Sequence, residues 1–433
     1  MARRLAGGMS AQTIGNRAMQ LDADFLEEIA QSHGDSFYIL DTDRFSQNFV
    51  SLAGAFRQYW PATSIAYSYK TNYVPRLCQI VDTLGGWAEV VSIMEYEIAR
   101  RCGVSADRIF FNGPVKRRDE IERVLLGGGV VNIDADYEID FVKEIAATNP
   151  GRRLAVGLRC NFDVGDGVVS RFGFYGADLD AALGDILAID NVDFVGFHCH
   201  FATRSLDCWA KRTSGMLALI ERSLPKLRSP LRFVSLGGGI YSGDMPPEMQ
   251  AQFPVSVPTF ADYAAVAAKP FAAFFSRVPL AEQPSLIIEP GTALAADSVR
   301  FATRIVSIKK VAGKWIATAA GSSQNMGIAP SRTNVPAQTY ASPTRRTVPD
   351  FEGAVDVAGY TCIESDYLLR DFDAKIAVGD FLVLEYAGSY SIVMKPPFIS
   401  PNVPIVEVRG ERRDVRLVKR RETFDDLFQT YVF

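Results

Sequence analysis

The chain has 433 residues, of which 48% are apolar and 22% charged, proportions typical of globular proteins. Its 46 Lys and Arg nearly balance its 50 Asp and Glu, so the net charge of −4 argues against a nucleic-acid or membrane surface as partner. The six cysteines form no C-x-x-C pair and no zinc spacing, and therefore favour free thiols in a reducing compartment. No apolar run approaches about 18 residues, and the first residues lack the apolar core of a secretory signal. We expect a cytoplasmic protein that acts on a small molecule.

The middle of the chain alternates short β-branched or aromatic runs with segments of helical period, which predicts parallel strands joined by helices. Eight strands are predicted, at 65–70, 87–91, 109–113, 130–134, 153–160, 192–201, 231–238 and 285–291. The amphipathic helices are predicted at 117–126, 136–147, 177–189 and 262–275. This count favours an α/β fold with a closed (β/α)8 barrel of the TIM type. A miscount by one strand would leave an open doubly wound sheet.

After residue 300 the apolar residues alternate with period two, which predicts a second, β-rich domain built as a sandwich or barrel. A hairpin is predicted around Ala312-Gly313. Residues 320–350 are rich in Ser, Pro, Thr and Asn and are expected to form a long irregular excursion. The expected division is a barrel at 43–299 and a β-rich domain at 1–42 and 300–433.

Polar and ionisable residues stand at the predicted carboxyl ends of the strands, where barrels of this type place their chemistry. They are Lys70, Asp134, Arg159, His198, His200, the triplet Gly237-Gly238-Gly239, and Glu289 with Gly291. A lysine at the end of an apolar strand is desolvated, so we expect the pKa of Lys70 to be lowered and its amine to form a Schiff base with a carbonyl. Taken alone, Lys70 is better explained as a lysine that extends to the barrel rim.

The other strand ends complete a chemically coherent set. Three glycines leave backbone N–H groups uncovered for a phosphate, although a sharp turn also needs glycine. The carboxylate of Glu289 can keep a pyridine nitrogen protonated, and His200 can stack on the ring, although a lone buried histidine is more often a core residue. Together these groups are what pyridoxal 5'-phosphate (PLP) needs to act as an electron sink, so we predict PLP as the cofactor.

The order of the motifs resembles a known family, the PLP-dependent decarboxylases with an alanine-racemase-like barrel (fold type III). This group contains the diaminopimelate and ornithine decarboxylases. The segment 66–72 is similar to the family's Y-x-x-K-x-N, 111–116 to its F-x-G-P-x-K and 170–173 to its S-K-F-G. The remaining similar segments are 196–200, 236–239, 289–291, 362–366, 388–390 and 421–426.

The resemblance implies a role for each site residue. Lys70 would carry the cofactor, Glu289 would partner the pyridine nitrogen and His200 would stack on the ring. The implied cofactor-binding residues also include Thr203, Gly237, Gly238, Gly239, Gly291 and Tyr390. The family forms homodimers with shared active sites, in which Cys362 from the neighbouring subunit would return a proton to Cα. Asp366 would reach across the dimer with Cys362, for which the alternative is a small buried hydrophobe. Apart from the resemblance, we expect Glu364, Asp366 and Arg159 to bind the substrate, the two carboxylates by holding a distal ammonium.

Two departures from the family concern the substrate end. Thr292 stands where the family commonly has an arginine after Glu-Pro-Gly, and the R-P-x-x-Y segment that reads diaminopimelate is not recognisable in 320–345. We therefore expect α-decarboxylation of a specialised biosynthetic substrate, such as a siderophore or antibiotic intermediate. The alternatives are diaminopimelate, lysine or ornithine of primary metabolism. A PLP-dependent racemase and a non-catalytic binding homologue also remain open.

Overall fold

The structure is a computed structural model that describes residues 19–243, 245–251, 256–327, 334–343, 353–410 and 414–433. Its strands, in chain order, are β1 (Ser36–Asp41), β2 (Thr63–Ser68), β3 (Trp87–Val90), β4 (Ile109–Phe111), β5 (Val130–Ile133), β6 (Leu154–Asn161), β7 (Phe174–Tyr175), β8 (Val192–His198), β9 (Phe233–Ser235), β10 (Ser285–Ile288), β11 (Val299–Val311), β12 (Lys314–Ala319), β13 (Ala337–Tyr340), β14 (Val355–Ala358), β15 (Tyr367–Phe372), β16 (Phe381–Leu384), β17 (Ile405–Arg409) and β18 (Asp414–Lys419). Its helices are α1 (Ala23–His33), α2 (Thr42–Arg57), α3 (Pro75–Thr83), α4 (Ile93–Arg101), α5 (Arg118–Leu126), α6 (Asp136–Thr148), α7 (Ala177–Leu187), α8 (Leu206–Ser223), α9 (Pro247–Gln250), α10 (Phe260–Phe275), α11 (Thr292–Ala295) and α12 (Phe424–Phe428).

Eight parallel strands close into a barrel, as the sequence predicts. Their order is β5-β4-β3-β2-β10-β9-β8-β6, and the pairing of β5 with β6 completes the ring. Several strands end earlier than predicted: β8 ends at His198 and β9 at Ser235, so the following residues belong to loops. Lys70 likewise lies in a short 3-10 turn, Tyr69–Thr71, directly after β2. The edge of the barrel at the carboxyl ends of the strands is therefore built mainly from these loops.

Aromatic side chains fill the amino-terminal half of the barrel. Trp87 and Phe110 stack with ring centroids 4.9 Å apart, and Phe110 lies 4.7 Å from Phe233. Ala66 and Ile287 belong to the same buried cluster. Because side chains alternate between the two faces of a strand, the intervening residues pack outward against the helices. The apolar filling leaves only the carboxyl ends of the strands for polar chemistry.

The second sheet is mixed and confirms the predicted β-rich domain. Its order is β15-β14-β12-β11-β1-β17-β18, with β16 paired to β11 and β13. The predicted hairpin at Ala312-Gly313 joins β11 to β12, and both turn residues have positive φ, 48° and 87°. Part of the expected excursion at 320–350 forms β13, which pairs with β16. Residues 328–333 and 344–350 lie outside the described residues.

The amino-terminal strand β1 belongs to this second sheet, between β11 and β17. Residues 1–18 of the predicted segment 1–42 lie outside the described part of the chain, and the domain boundaries at 43–299 stay a prediction. The buried carboxylate of Glu407 in β17 joins the domains by accepting hydrogen bonds from Thr42 and Arg76, each at 2.9 Å. Among the described helices, none has the length and apolar character needed to cross a bilayer.

Candidate active site

Lys70 stands at the carboxyl end of β2 and faces a carboxylate on the next strand. Its Nζ donates to Oε2 of Glu89 at 2.7 Å, and the Ser68 hydroxyl donates to the same oxygen. Burial lowers the pKa of the Lys70 amine, but the charges of Glu89 and Glu289 outweigh burial and raise this pKa above its ordinary value. The expectation of a lowered pKa is therefore wrong for the cofactor-free chain, because it considered desolvation alone.

The two residues after Lys70 bind the second domain. The carbonyl of Thr71 accepts a hydrogen bond from the backbone N–H of Tyr390 at 2.9 Å. The side-chain amide of Asn72 donates to the carbonyl of Gly388 at 3.0 Å. Tyr390 adopts φ 59°, a left-handed conformation unusual for a tyrosine. The segment 388–390 is thereby held beside the turn that carries Lys70; the role of Tyr390 in phosphate binding stays a prediction.

Glu289 follows β10 and is held by three side chains from neighbouring strand ends. Its Oε1 accepts from the Ser235 hydroxyl at 2.7 Å and from the Asn112 amide at 3.2 Å, and its Oε2 lies 3.1 Å from Nε2 of His198. Burial alone would raise the pKa of this carboxyl. The interactions with His198, Ser235 and Lys70 outweigh burial and lower the pKa to about 2. Glu289 is therefore ionised at neutral pH.

Asn112 links this carboxylate to the lysine site. Its Nδ2 lies 3.2 Å from Oε1 of Glu89 as well as from Oε1 of Glu289. Its Oδ1 accepts a hydrogen bond from Asn132 at 2.6 Å, which fixes the orientation of the amide. Lys70 and Glu289 thus belong to one buried polar network in the barrel mouth.

His200 lies on the loop after β8, against the glycine loop after β9. Its Nδ1 accepts a hydrogen bond from the backbone N–H of Gly238 at 2.9 Å, so a neutral ring carries its proton on Nε2. Burial lowers the pKa of His200 well below its usual range, and the nearby charges of Lys70 and Arg212 lower it further. The imidazole is therefore an uncharged flat surface at neutral pH.

Close backbone approaches explain the glycines of the site. A Cβ at Gly237 would lie 2.4 Å from the carbonyl oxygen of Cys199, and one at Gly238 would lie 2.3 Å from that of Glu289. The N–H groups of both glycines already donate, to Ser235 Oγ and to His200 Nδ1. Of the three glycine N–H groups, the one of Gly239 is left without an acceptor among the described residues. The glycine triplet therefore offers a phosphate one free backbone N–H group, whereas the sequence predicts three.

The residues present fit PLP, because one mouth holds an amine, an ionised carboxylate, a neutral imidazole and a glycine loop packed too tightly for side chains. The family model described as "Pyridoxal-dependent decarboxylase, pyridoxal binding domain" matches residues 46–296, more than half of the chain. The chain belongs to this family of pyridoxal-dependent decarboxylases. This membership confirms the predicted cofactor, PLP, and the prediction of an amino-acid decarboxylase.

Similar proteins cover almost the whole decarboxylase chain. The diaminopimelate decarboxylase of Archaeoglobus fulgidus is 27% identical over 423 residues, which cover 93% of this chain and 94% of that protein. The crystal structure of diaminopimelate decarboxylase from Methanocaldococcus jannaschii superposes with a TM-score of 0.80 at 23% identity and covers 94% of each chain. The Helicobacter pylori enzyme complexed with L-lysine superposes with a TM-score of 0.77 at 24% identity, covering 93% of this chain and 98% of that one. These structures support the shared fold.

Two further predicted residues of the decarboxylase lie at the barrel mouth with partners of their own. The hydroxyl of Thr203 donates to Oδ2 of Asp166 at 2.6 Å. Arg159 forms a buried ion pair with Asp134 at 2.8 Å, and its guanidinium lies 4.4 Å from the ring centroid of Phe172. The roles of Thr203 in phosphate binding and of Arg159 in substrate binding stay predictions.

The loop between β14 and β15 carries three predicted site residues, Cys362, Glu364 and Asp366, which differ in their exposure to solvent. Cys362 and Glu364 are exposed, so the alternative of a buried hydrophobe at Cys362 is wrong. Asp366 is buried, and its carboxylate accepts hydrogen bonds from Ser323 and Thr361, including their hydroxyls at 2.7 and 2.6 Å. This saturated environment favours a role for Asp366 in holding the loop, whereas Glu364 remains available for a substrate.

Besides His198, which the sequence places at a strand end without a role, four residues of the site have no role assigned from the sequence: Glu89, Asn112, Ser235 and Arg212. A usable signal exists for two of them, since Glu89 lies within the predicted strand 87–91 and Asn112 within the segment similar to F-x-G-P-x-K. In the sequence, Ser235 is an ordinary residue of a predicted strand and Arg212 lies in a segment of helical period, so neither gives a signal of a functional role.

Proposed function

We propose that this decarboxylase removes the α-carboxylate of a diamino acid, with diaminopimelate as the first candidate. The curated relatives named above support this choice, because a relative similar over 93% of the chain bears the name diaminopimelate decarboxylase. The specialised siderophore or antibiotic substrate expected from the sequence gains no support from the comparisons. The primary-metabolism alternative is therefore the better proposal.

The observation that carries the decarboxylation chemistry is the shared network of Lys70 and Glu289. Lys70 would hold the cofactor covalently, and ionised Glu289 would keep a proton on the pyridine nitrogen. When bound, PLP supplies the electron sink for the pair left behind by carbon dioxide. The neutral imidazole of His200 would stack against the ring without adding a positive charge.

We further propose that the protein works as a cytoplasmic homodimer. Cys362 and Glu364 stand exposed on one loop of the second domain. From there Cys362 would protonate Cα in the site of a second copy, and Glu364 would bind the distal ammonium of the substrate. The sedimentation coefficient tests the dimer. Mixing Cys362→Ala with Lys70→Ala subunits tests the shared site, because only hybrid dimers regain one intact site.

The substrate is tested by measuring carbon dioxide release from diaminopimelate, lysine, ornithine and citrate-conjugated diamines. We expect release from diaminopimelate to exceed that from the other amino acids. Turnover of a citrate-conjugated diamine alone would overturn the substrate and favour the specialised reading. Retained carbon with inverted chirality at Cα would overturn decarboxylation and identify a racemase.

A further inference from the structure

The guanidinium of Arg212 lies fully buried beneath the two loops of the cofactor site. It projects from α8, and its Nη1 donates to the carbonyls of Leu236 at 3.0 Å and Gly238 at 2.6 Å. Its Nη2 donates to the carbonyls of Phe201 at 2.8 Å and Thr203 at 3.3 Å. One side chain therefore joins the loop after β8 to the loop after β9.

Among the described residues, no carboxylate directly contacts this cation. The guanidinium packs over the rings of Trp209 and Phe201, with centroids at 4.3 and 5.5 Å, which excludes water. Within the described ranges no carboxylate forms an ion pair with Arg212; the carboxylate of Asp166 interacts with its charge from farther away and accepts the hydroxyl of Thr203. An isolated buried charge is costly unless hydrogen bonds and an opposite charge offset it. The carbonyls supply the hydrogen bonds and the more distant charge of Asp166 supplies part of the electrostatic offset, so a bound anion would complete it.

The geometry of the glycine loop shows where an anion would act. The carbonyl of Gly238 and the N–H of Gly239 belong to one peptide group and point in opposite directions. Because Arg212 holds that carbonyl, the unpartnered N–H of Gly239 points away from the guanidinium. The polarised peptide group therefore carries positive potential from the buried cation to the outer face of the loop.

We propose that Arg212 is the buried counter-charge of the cofactor's phosphate and sets the preference for phosphorylated over unphosphorylated pyridoxal. The inference rests on the proposed function and on the predicted placement of the phosphate at the loops 201–203 and 237–239. A phosphate bound at the N–H of Gly239 would offset the positive charge of Arg212, because the peptide group between them is polarised by the hydrogen bond from Arg212 to the Gly238 carbonyl. Arg212 is thus a positioning residue, since it acts through the loops.

The test compares the dissociation constants of PLP and pyridoxal for cofactor-free protein, by titration of the visible absorption band. We expect Arg212→Met to weaken PLP binding by at least about tenfold, equivalent to about 1.4 kcal/mol, while pyridoxal binding changes far less. Lys211→Met is the matched control, because it removes a half-exposed charge from the same helix. Equal weakening of both ligands in Arg212→Met would overturn the inference.

A second variant covers the case in which Arg212→Met fails to fold. Arg212→Lys keeps the charge but loses the planar fork of donors, and we expect it to keep the preference for PLP over pyridoxal. Loss of that preference in folded Arg212→Lys would overturn the charge argument. Wild-type protein that binds both ligands equally would instead contradict the placement of the phosphate, and hence the proposed site.

Discussion

The carboxylate of Glu89 lies 2.7 Å from the amine of Lys70 and keeps that amine protonated in the cofactor-free chain. Attachment of an aldehyde requires the unprotonated amine. We therefore expect Glu89→Gln to lower the pKa of Lys70 and to speed covalent attachment of PLP at pH 7. The measurement is the rate of growth of the visible absorption band as a function of pH, whose midpoint should move to lower pH.

Glu144→Gln is the control for this prediction, because it removes a surface carboxylate that pairs with Arg118 on the helix layer. The control should leave the pH profile unchanged. An unshifted midpoint in Glu89→Gln would show that the ion pair with Lys70 does not govern attachment.

Replacing Lys70 by alanine should abolish the covalent absorption band and reduce carbon dioxide release below detection. The physical reason is that the amine of Lys70 is the one that follows β2 and donates to Glu89 within the described part of the chain. Lys143→Ala, at an exposed lysine of α6, should leave both readouts intact. A normal spectrum in Lys70→Ala would refute the assignment of this lysine.

Glu95 should make the fold less stable as the pH rises. Burial raises the pKa of this carboxyl from 4.5 to about 7. Well below pH 4.5 the Glu95 carboxyl is protonated in both the folded and the unfolded chain. Between pH 4.5 and about 7 it is ionised in the unfolded chain but still protonated in the folded one. The free energy of unfolding should therefore fall by about 3 kcal/mol across this window. Denaturant melts of Glu95→Gln should show a flatter pH dependence than wild type.

Gly291→Ala should disrupt the site by overpacking. Its new Cβ would lie 1.9 Å from Oγ1 of Thr71, next to Lys70, and the short helix α11 leaves little room to adjust. We expect a loss of about 3 kcal/mol in unfolding free energy together with weaker PLP retention. Gly151→Ala, where no atom lies within 4 Å of the new Cβ, serves as the control and should be neutral.

The barrel and its reactive residues were predictable because both depend on patterns local in sequence. Period-two and period-3.6 runs locate the strands and helices, and the residues that end them, Lys70 and Glu289 among them, necessarily meet at one edge of a parallel barrel. The same logic predicts the glycine loop. It does not predict where a loop begins, since β9 ends three residues before the predicted strand does.

The electrostatics of the site could not be read from local patterns. The raised pKa of Lys70 depends on Glu89, which lies on the neighbouring strand 19 residues away. Arg212 fits an ordinary amphipathic helix, and only the packing of α8 beneath two loops reveals its carbonyl partners. The sequence predicts the same substrate-binding role for Asp366 and Glu364 because they share a loop. In the structure the side chain of Asp366 is buried, whereas that of Glu364 is exposed.

The contacts of Thr71 and Asn72 with the segment 388–390 join the turn that carries Lys70 to the carboxyl-terminal half of the chain. An excised barrel would lose the partners of the two residues that follow Lys70. Recombination with the carboxyl-terminal half of another family member would have to preserve the Gly388 carbonyl and the Tyr390 amide. Evolutionary exchange of these halves is thus constrained at the backbone, whatever side chains the new half brings.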